Sequence, residues 1–185
     1  MNKKEQILNA TLKLIVQKGI ESTPMSEIAK AADTGMGAIY NYFPNKEALV
    51  NELYFNLKTK ESAIIGHGYD SSLSVKQRFV YLWKKMINYF LAEPLDFMFL
   101  EQFYYSPSID PIAKHNGGLY LKDLDQVYLD GQAQQIMKDG DIKEWIGFTN
   151  GSLVSLVKLH HSNYIHLKEE TINNYIQAAW DAIKS

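Results

Sequence analysis

Residues 34–49 read TGMGAIYNYFPNKEAL. Glycines at 35 and 37 stand where a helix begins, and two tyrosines follow at spacing i, i+2. Phe43-Pro44 then closes the run before Asn45 opens a new helix. Glycine in a helix interior costs roughly 1 kcal/mol relative to alanine, so Gly35 and Gly37 signal a backbone that must come close to something. Such a backbone offers its free amides and positive dipole end to a phosphate or a base edge. Around it, Tyr40 and Tyr42 supply hydroxyls for a sugar-phosphate chain and Asn41 a bidentate amide for a base. Lys46 adds an ammonium at the next helix start. These residue types suit a reader of a nucleic-acid groove. The competing reading is packing: Phe43 belongs to the core by its period, and both tyrosines could follow it inward.

No other stretch offers a reaction centre. The chain has no cysteine, which removes disulfides, thiolate metal sites and cysteine nucleophiles together. His160, His161 and His166 invite a metal reading, but adjacent residues on a helix diverge by about 100°, and no metal is expected there. His67 and His115 are isolated in loop-like sequence. There is no Ser/His/Asp order, P-loop or dinucleotide glycine motif, so neither an enzyme nor a cofactor is expected.

The elements that must hold this stretch are helices. Asn2 with Glu5 resembles a capping box, and Ile7, Leu8, Leu12, Leu14 and Ile15 recur at helical spacing until Gly19. Thr23-Pro24 predicts a second start, with the threonine hydroxyl as N-cap. A third short helix covers about Met36 to Tyr42, because Pro44 forbids simple continuation. Asn45 caps a long helix through Leu49, Leu53, Leu57 and Ile64. After the loop 66–72, Val75, Phe79, Leu82, Trp83, Met86 and Phe90 form another stripe. Pro94 opens LDFMFLEQFYY, apolar on almost every side and expected to be enclosed by other helices. Residues 106–118 read as a broken connection, and further helices are expected over 119–138, 142–162 and from Thr171. The expected fold is all-α, with about nine helices.

A chain of 185 residues suffices for one core-bearing domain with a small appended module. Net charge is −2, which excludes a wholly basic nucleic-acid binder but not a local one. Residues 1–47 hold six lysines against five acids, and the remainder is acidic. Arg78 is the single arginine, so phosphate contacts near the start fall to lysines, hydroxyls and amides. No apolar run of about 18 residues occurs, and a cytoplasmic protein without membrane contact is expected.

Two short helices across a tight turn, with Ala29 where they cross and Ile28 and Ile39 as shared core, form a helix-turn-helix. The segment Ile7–Leu53 resembles the DNA-binding domain of the tetracycline-repressor (TetR) family of bacterial transcriptional regulators. The resemblance runs through ILNATLKLIVQKG, TPMSEIAKAA and GAIYNYFPNKEAL. It implies a helix-turn-helix domain over 1–47, a linking helix from about 45 to 65, and a larger ligand-binding and dimerisation domain over 48–185. Thr23 and Ser26 match positions where the family's second helix meets the DNA backbone. Gly35, Met36, Gly37, Ala38, Tyr40, Asn41 and Tyr42 fall in the third-helix segment that faces the groove and its phosphates, and Lys46 matches a phosphate-contacting lysine. Three positions depart from the pattern: Asp33 replaces a frequent turn glycine, Gly35 a hydroxyl cap, and Met36 a polar residue. These losses predict weak intrinsic affinity, or a sequence preference resting on few contacts.

The resemblance also implies a small-molecule effector cavity among the middle helices. Trp83, Met86, Phe90, Phe99 and Phe103 are its candidate walls, with Glu101, Gln102 and Tyr128 as polar members; the plain alternative is an aromatic core with a solvated Glu101. A homodimer face is expected on the last two helices from Trp145, Phe148, Gly151, Leu156, Tyr175, Trp180 and Ile183, with Gly147 and Gly151 permitting close crossing. The implied function is a regulator, a repressor in its simplest form, released from operator DNA by a small molecule. A rival keeps this scaffold but acts through protein partners, or as a ligand carrier with weak DNA binding.

Overall fold

The computed structural model describes residues 2–103, 106–107, 109–110 and 122–185. His115, most of the connection expected over 106–118 and the start of the helix expected from 119 lie outside them. Among the described residues there are nine α-helices and no strand beyond one isolated bridge, Met137 with Lys184. The helices are α1 (Lys3–Lys18), α2 (Met25–Ala31), α3 (Met36–Tyr42), α4 (Lys46–Gly66), α5 (Val75–Ala92), α6 (Pro94–Phe103), α7 (Lys122–Ala133), α8 (Ile142–His161) and α9 (Glu169–Ile183). The all-α architecture is as the periodicity requires.

Local chemistry sets most boundaries. Asn2 and Glu5 form the capping box at the start of α1, which ends at Gly19 with φ of 83°. Asn45 accepts from the Ala48 amide and caps α4, and Ser74 with Gln77 forms a second capping box on α5. Two boundaries differ from the sequence reading. Pro24, not Thr23, occupies the N-cap of α2, and no side chain caps that helix. The Thr23 hydroxyl instead donates to the Gly19 carbonyl at 2.8 Å, and the residue is fully buried. Helix α7 stops at Ala133, short of residue 138, because Gln135 turns left-handed at φ 57° and the amides of Ile136 and Met137 fold back onto the Gly131 carbonyl. Met137 then lies where a Cβ on Gly131 would be, 2.5 Å from its sulfur.

The helices fall into two compact units. One holds residues 1–60 with the described part of 94–120, and the other 61–93 with the described part of 121–185. In the first, Ile7, Ile15, Ile28, Ile39 and Leu49 are fully buried, each contributing about 1.5–3 kcal/mol of burial. Helix α6 packs on α1 here. It is not enclosed on all sides: Phe97, Phe99, Leu100 and Phe103 face inward, while Met98, Glu101 and Gln102 are exposed. The buried Asp96 carboxylate accepts from Lys60 at 2.8 Å.

In the second unit α5 is central and packs against α7, α8 and α9. Phe79 anchors an aromatic cluster, its ring centroid 6.2 Å from Trp83, 6.0 Å from Tyr128 and 5.3 Å from Trp180. Arg78 is buried and pairs with Asp130 at 2.7 Å, tying α5 to α7. The chain's single arginine is therefore a structural cation.

Candidate nucleic-acid interface

Helix α3 has seven residues, too few to be stable alone. Its N-cap, Gly35, offers no side-chain bond. Docking on α2 holds it instead: Ile39 is fully buried and Phe43 nearly so, as are Ile28, Ala29 and Ala32 of the preceding segment. The turn between α2 and α3 passes through Asp33 at φ 48°. Aspartate reaches this left-handed region at lower cost than most residues. The Thr34 amide closes the turn on the Ala29 carbonyl at 2.9 Å, and Lys3 donates to the Asp33 carbonyl at 3.2 Å.

With Ile39 and Phe43 inside, the remaining α3 positions face outward. Tyr40 and Tyr42 are 50% and 48% exposed, and Gly35, Gly37 and Asn41 are exposed beside them. Met36, Ala38 and Lys46 are half-buried, and Ser26 of α2 is exposed. Thr23 stands apart from this set, since its hydroxyl and surface are taken up within the fold. Three nearby lysines are committed elsewhere: Lys4 to Glu52 at 2.6 Å, Lys18 to Glu27, and Lys3 to the Asp33 carbonyl. Lys13, Lys30 and Lys46 have no ion-pair partner among the described residues. Lys30, exposed at the last turn of α2, was not singled out by its sequence context, which gives no cue beyond its charge.

The glycines of α3 are not demanded by the protein itself. A Cβ at Gly35 or Gly37 would meet nothing within 4 Å, and neither residue has a positive φ. Gly37→Ala is therefore expected to stabilise the free chain by about 0.4–1 kcal/mol while weakening DNA binding, because the added methyl stands between backbone and groove. Thermal unfolding and fluorescence anisotropy read the two effects separately; unchanged affinity would remove the close-approach role of this glycine.

The expected pocket residues divide between the units. Trp83, Met86, Phe90 and Tyr128 are buried in the second, whereas Phe99 and Phe103 pack at 4.7 Å in the first. Glu101 and Gln102 are solvent-exposed, so neither is a polar group of an enclosed cavity. Burial pushes the Tyr128 hydroxyl up to about 12, offset in part by the adjacent Thr149 hydroxyl and Trp83 indole. Those neighbours fall short of hydrogen-bond geometry, and both Tyr128 OH and Trp83 Nε1 are buried without a partner. The second unit also carries an open groove of about 440 Å³ lined by Ile64, Tyr81, Lys84, Asn88, Tyr89 and Ala92, with Lys85 and Glu93 completing it. None of these was among the expected pocket residues. The available signal was a second α5 stripe at 81, 84, 85, 88, 89 and 92.

Of the expected dimer residues, Phe148, Gly151 and Tyr175 are exposed, and Trp145 and Leu156 are half-buried. Trp180 and Ile183 are instead core residues of their own unit. His160 Nδ1 accepts from the Leu167 amide, His161 Nε2 meets the Phe90 carbonyl, and no metal-binding cluster occurs among the described residues. No described helix is long and apolar enough to cross a membrane.

Comparison with known proteins agrees with this architecture along the whole chain. The profile described as "Bacterial regulatory proteins, tetR family" matches residues 7–53. The profile "Tetracyclin repressor-like, C-terminal domain" matches residues 74–184. An uncharacterised HTH-type transcriptional regulator of Haemophilus influenzae is 27% identical over 97% of this chain and 95% of its own length. Further HTH-type regulators align over 26–47% of this chain and 18–42% of their own length. Among solved structures, a TetR-family regulator from Shewanella sp. PV-4 shares the fold at a TM-score of 0.91 and 22% identity, each chain covered completely. The regulator FadR of Bacillus subtilis, solved in complex with stearoyl-CoA, shares it at 0.74 and 18%, over 96% of this chain and 95% of that one. With its exposed α3 surface and both family profiles in sequence, this chain belongs to the TetR family of bacterial DNA-binding transcriptional regulators.

Proposed function

We propose that the chain is a homodimeric, ligand-responsive repressor whose paired α2–α3 units read two operator half-sites and whose larger domain takes a small-molecule effector. The observation that carries the DNA-reading part is the outward set Gly35, Gly37, Tyr40, Asn41 and Tyr42, mounted on buried Ile28, Ile39 and Phe43. The hydroxyls position α3 on phosphates, Asn41 reads a base edge, and Lys30 and Lys46 supply charge. Dimerisation places two such helices about one DNA turn apart.

Helix α4 runs from residue 46 to 66 and contributes residues to both units. It is the covalent route by which an effector alters the DNA-reading part. An effector can do so only if it binds the DNA-free state more tightly. The FadR neighbour was solved with stearoyl-CoA bound, which supports the effector reading. Screening small molecules for release of operator DNA, followed by anisotropy, tests it. A compound that raises the Kd supports the effector role; a chain whose operator affinity no compound alters is a constitutive regulator instead.

The dimer assignment rests on α8, where Gly147, Phe148 and Gly151 are exposed and a Cβ on either glycine would meet nothing. Phe148→Lys is expected to give monomers by light scattering. Operator affinity should fall by roughly a hundredfold or more as linkage of two half-sites is lost. A Phe148→Lys protein that remains dimeric would move the interface elsewhere.

A further inference from the structure

The groove on the second unit lies along one face of α5 and has the dimensions of a small-molecule site, at about 440 Å³. Residues 81, 84, 85, 88, 89 and 92 recur at spacings of three and four, so they form one continuous stripe. This stripe is offset from the buried one that carries Phe79, Trp83, Met86 and Phe90. Ile64, Ala92 and the rings of Tyr81 and Tyr89 give it an apolar floor.

One wall is fixed by the backbone. The Tyr81 hydroxyl donates to the His67 carbonyl, and the Tyr81 ring lies 6.3 Å from that of Tyr69. Gly68, between them in sequence, has φ of 80°, and a Cβ there would stand 2.9 Å from the Tyr81 hydroxyl oxygen. A side chain at 68 would displace Tyr81, so the glycine and the wall belong together.

The charges select the ligand. Lys84 pairs with Glu169 of α9 at 2.7 Å, but the Glu169 side chain is 76% exposed, so the bond is solvent-screened and exchangeable. The Lys85 ammonium sits 5.5 Å over the Tyr81 ring and has no carboxylate partner among the described residues. Asn88 adds an exposed amide one turn further on. Glu93 lies at the far end of the groove, about 12 Å along the helix from Lys85 at 1.5 Å per residue. Two ammoniums, with the Asn88 amide a turn further along the stripe, favour a single anion there, and Glu93 beyond them disfavours a second one. A cationic ligand would face both lysines.

We propose that this groove binds an amphipathic monocarboxylate, with its carboxylate on Lys85 and Asn88 and its apolar body on Ile64, Tyr81, Tyr89 and Ala92. This names the effector class and rests on the effector reading above. Calorimetric titration of the full-length protein with decanoate, decanol and decyltrimethylammonium, each below micelle formation, compares three head groups on one tail. Decanoate is expected to bind saturably, once per chain and at least tenfold tighter than the other two. Lys85→Glu should abolish that preference, Lys85→Arg should retain it, and Gly68→Ala should weaken decanoate by displacing Tyr81. Lys85 is half-buried with its ammonium over the Tyr81 ring, and an unchanged unfolding temperature certifies the two Lys85 variants as folded.

Equal binding of decanoate and decanol, retained decanoate binding by Lys85→Glu, or no binding of decanoate would each overturn the proposal. The effector reading fails separately. If decanoate binds at Lys85 without altering operator affinity, the groove stands and its regulatory role falls. If decanoate releases DNA equally from the wild-type and Lys85→Glu proteins, the regulatory role stands and the groove falls.

Discussion

The double substitution Tyr40→Phe, Tyr42→Phe raises the Kd for operator DNA by about a hundredfold or more and leaves the unfolding temperature unchanged. A hydroxyl donating to a phosphate contributes about 1 kcal/mol or more net, and a dimer places four such hydroxyls on the duplex. Every 1.4 kcal/mol is tenfold in affinity, so incomplete additivity still leaves a loss of this order. Stability is spared because both side chains are about half exposed and phenylalanine preserves the ring of Tyr42 that lies 6.2 Å from Phe43. The loss should be the same on any DNA sequence, since phosphate contacts carry no base information. Asn41→Ala, by contrast, should blur discrimination at one base pair per half-site. Unchanged affinity in the double variant would assign the tyrosines to the surface alone.

Phe79→Ala lowers stability by about 3–5 kcal/mol, a fall of about 10 °C or more in Tm for a chain of this size. Phe79 is fully buried and contacts three aromatic rings from α5, α7 and α9, so no single neighbour can collapse into the space. Tyr128→Phe, in the same cluster, is expected to be neutral or stabilising, because its hydroxyl is buried without a partner and removing it removes a desolvation cost. The pair also separates in alkali. Burial holds the folded Tyr128 hydroxyl near 12, above its unfolded value of about 10. The unfolded chain thus releases its proton first, and this contribution to stability is lost as pH rises from about 10 towards 12. Tyr128→Phe should lack that component. A Tyr128→Phe protein several degrees less stable than wild type at neutral pH would show that the hydroxyl is satisfied inside the fold.

Residue type and period made the fold readable. Ile7, Leu8, Leu12 and Ile15 recur at helical spacing and are all buried, and Asn2, Asn45 and Gly19 mark helix ends by local hydrogen bonding or backbone freedom. The outward face of α3 follows from Ile39 and Phe43 pointing in. Less legible were features decided by three-dimensional neighbours. Thr23 has the chemistry of an N-cap, but the Gly19 carbonyl, four residues earlier, captures its hydroxyl. A stripe such as Tyr175, Trp180 and Ile183 is one-sided by period, yet period does not say which side meets another copy. Trp180 turned inward to Phe79, and Tyr175 stayed outside. Glu101 and Gln102 sit in a strongly apolar segment, and only the packing of α6 on α1 shows them facing water. The α5 groove stripe mixes tyrosine, lysine and alanine, a pattern that reads in sequence as an ordinary solvated face. Helix α7 ended early without a glycine, through Gln135 in a left-handed turn.

The most direct test is fluorescence anisotropy of the full-length, effector-free protein on DNA from upstream of its own gene, against a scrambled duplex, across a salt series. With Lys30 and Lys46 on each of two half-sites, the logarithm of affinity should fall with the logarithm of salt at a slope of about −4. The specific duplex should bind at least a thousandfold tighter than the scrambled one. Equal, feeble binding of both duplexes, repeated over wider genomic fragments with a folded protein, would contradict a sequence-reading α3 and leave the scaffold to protein partners or ligand carriage.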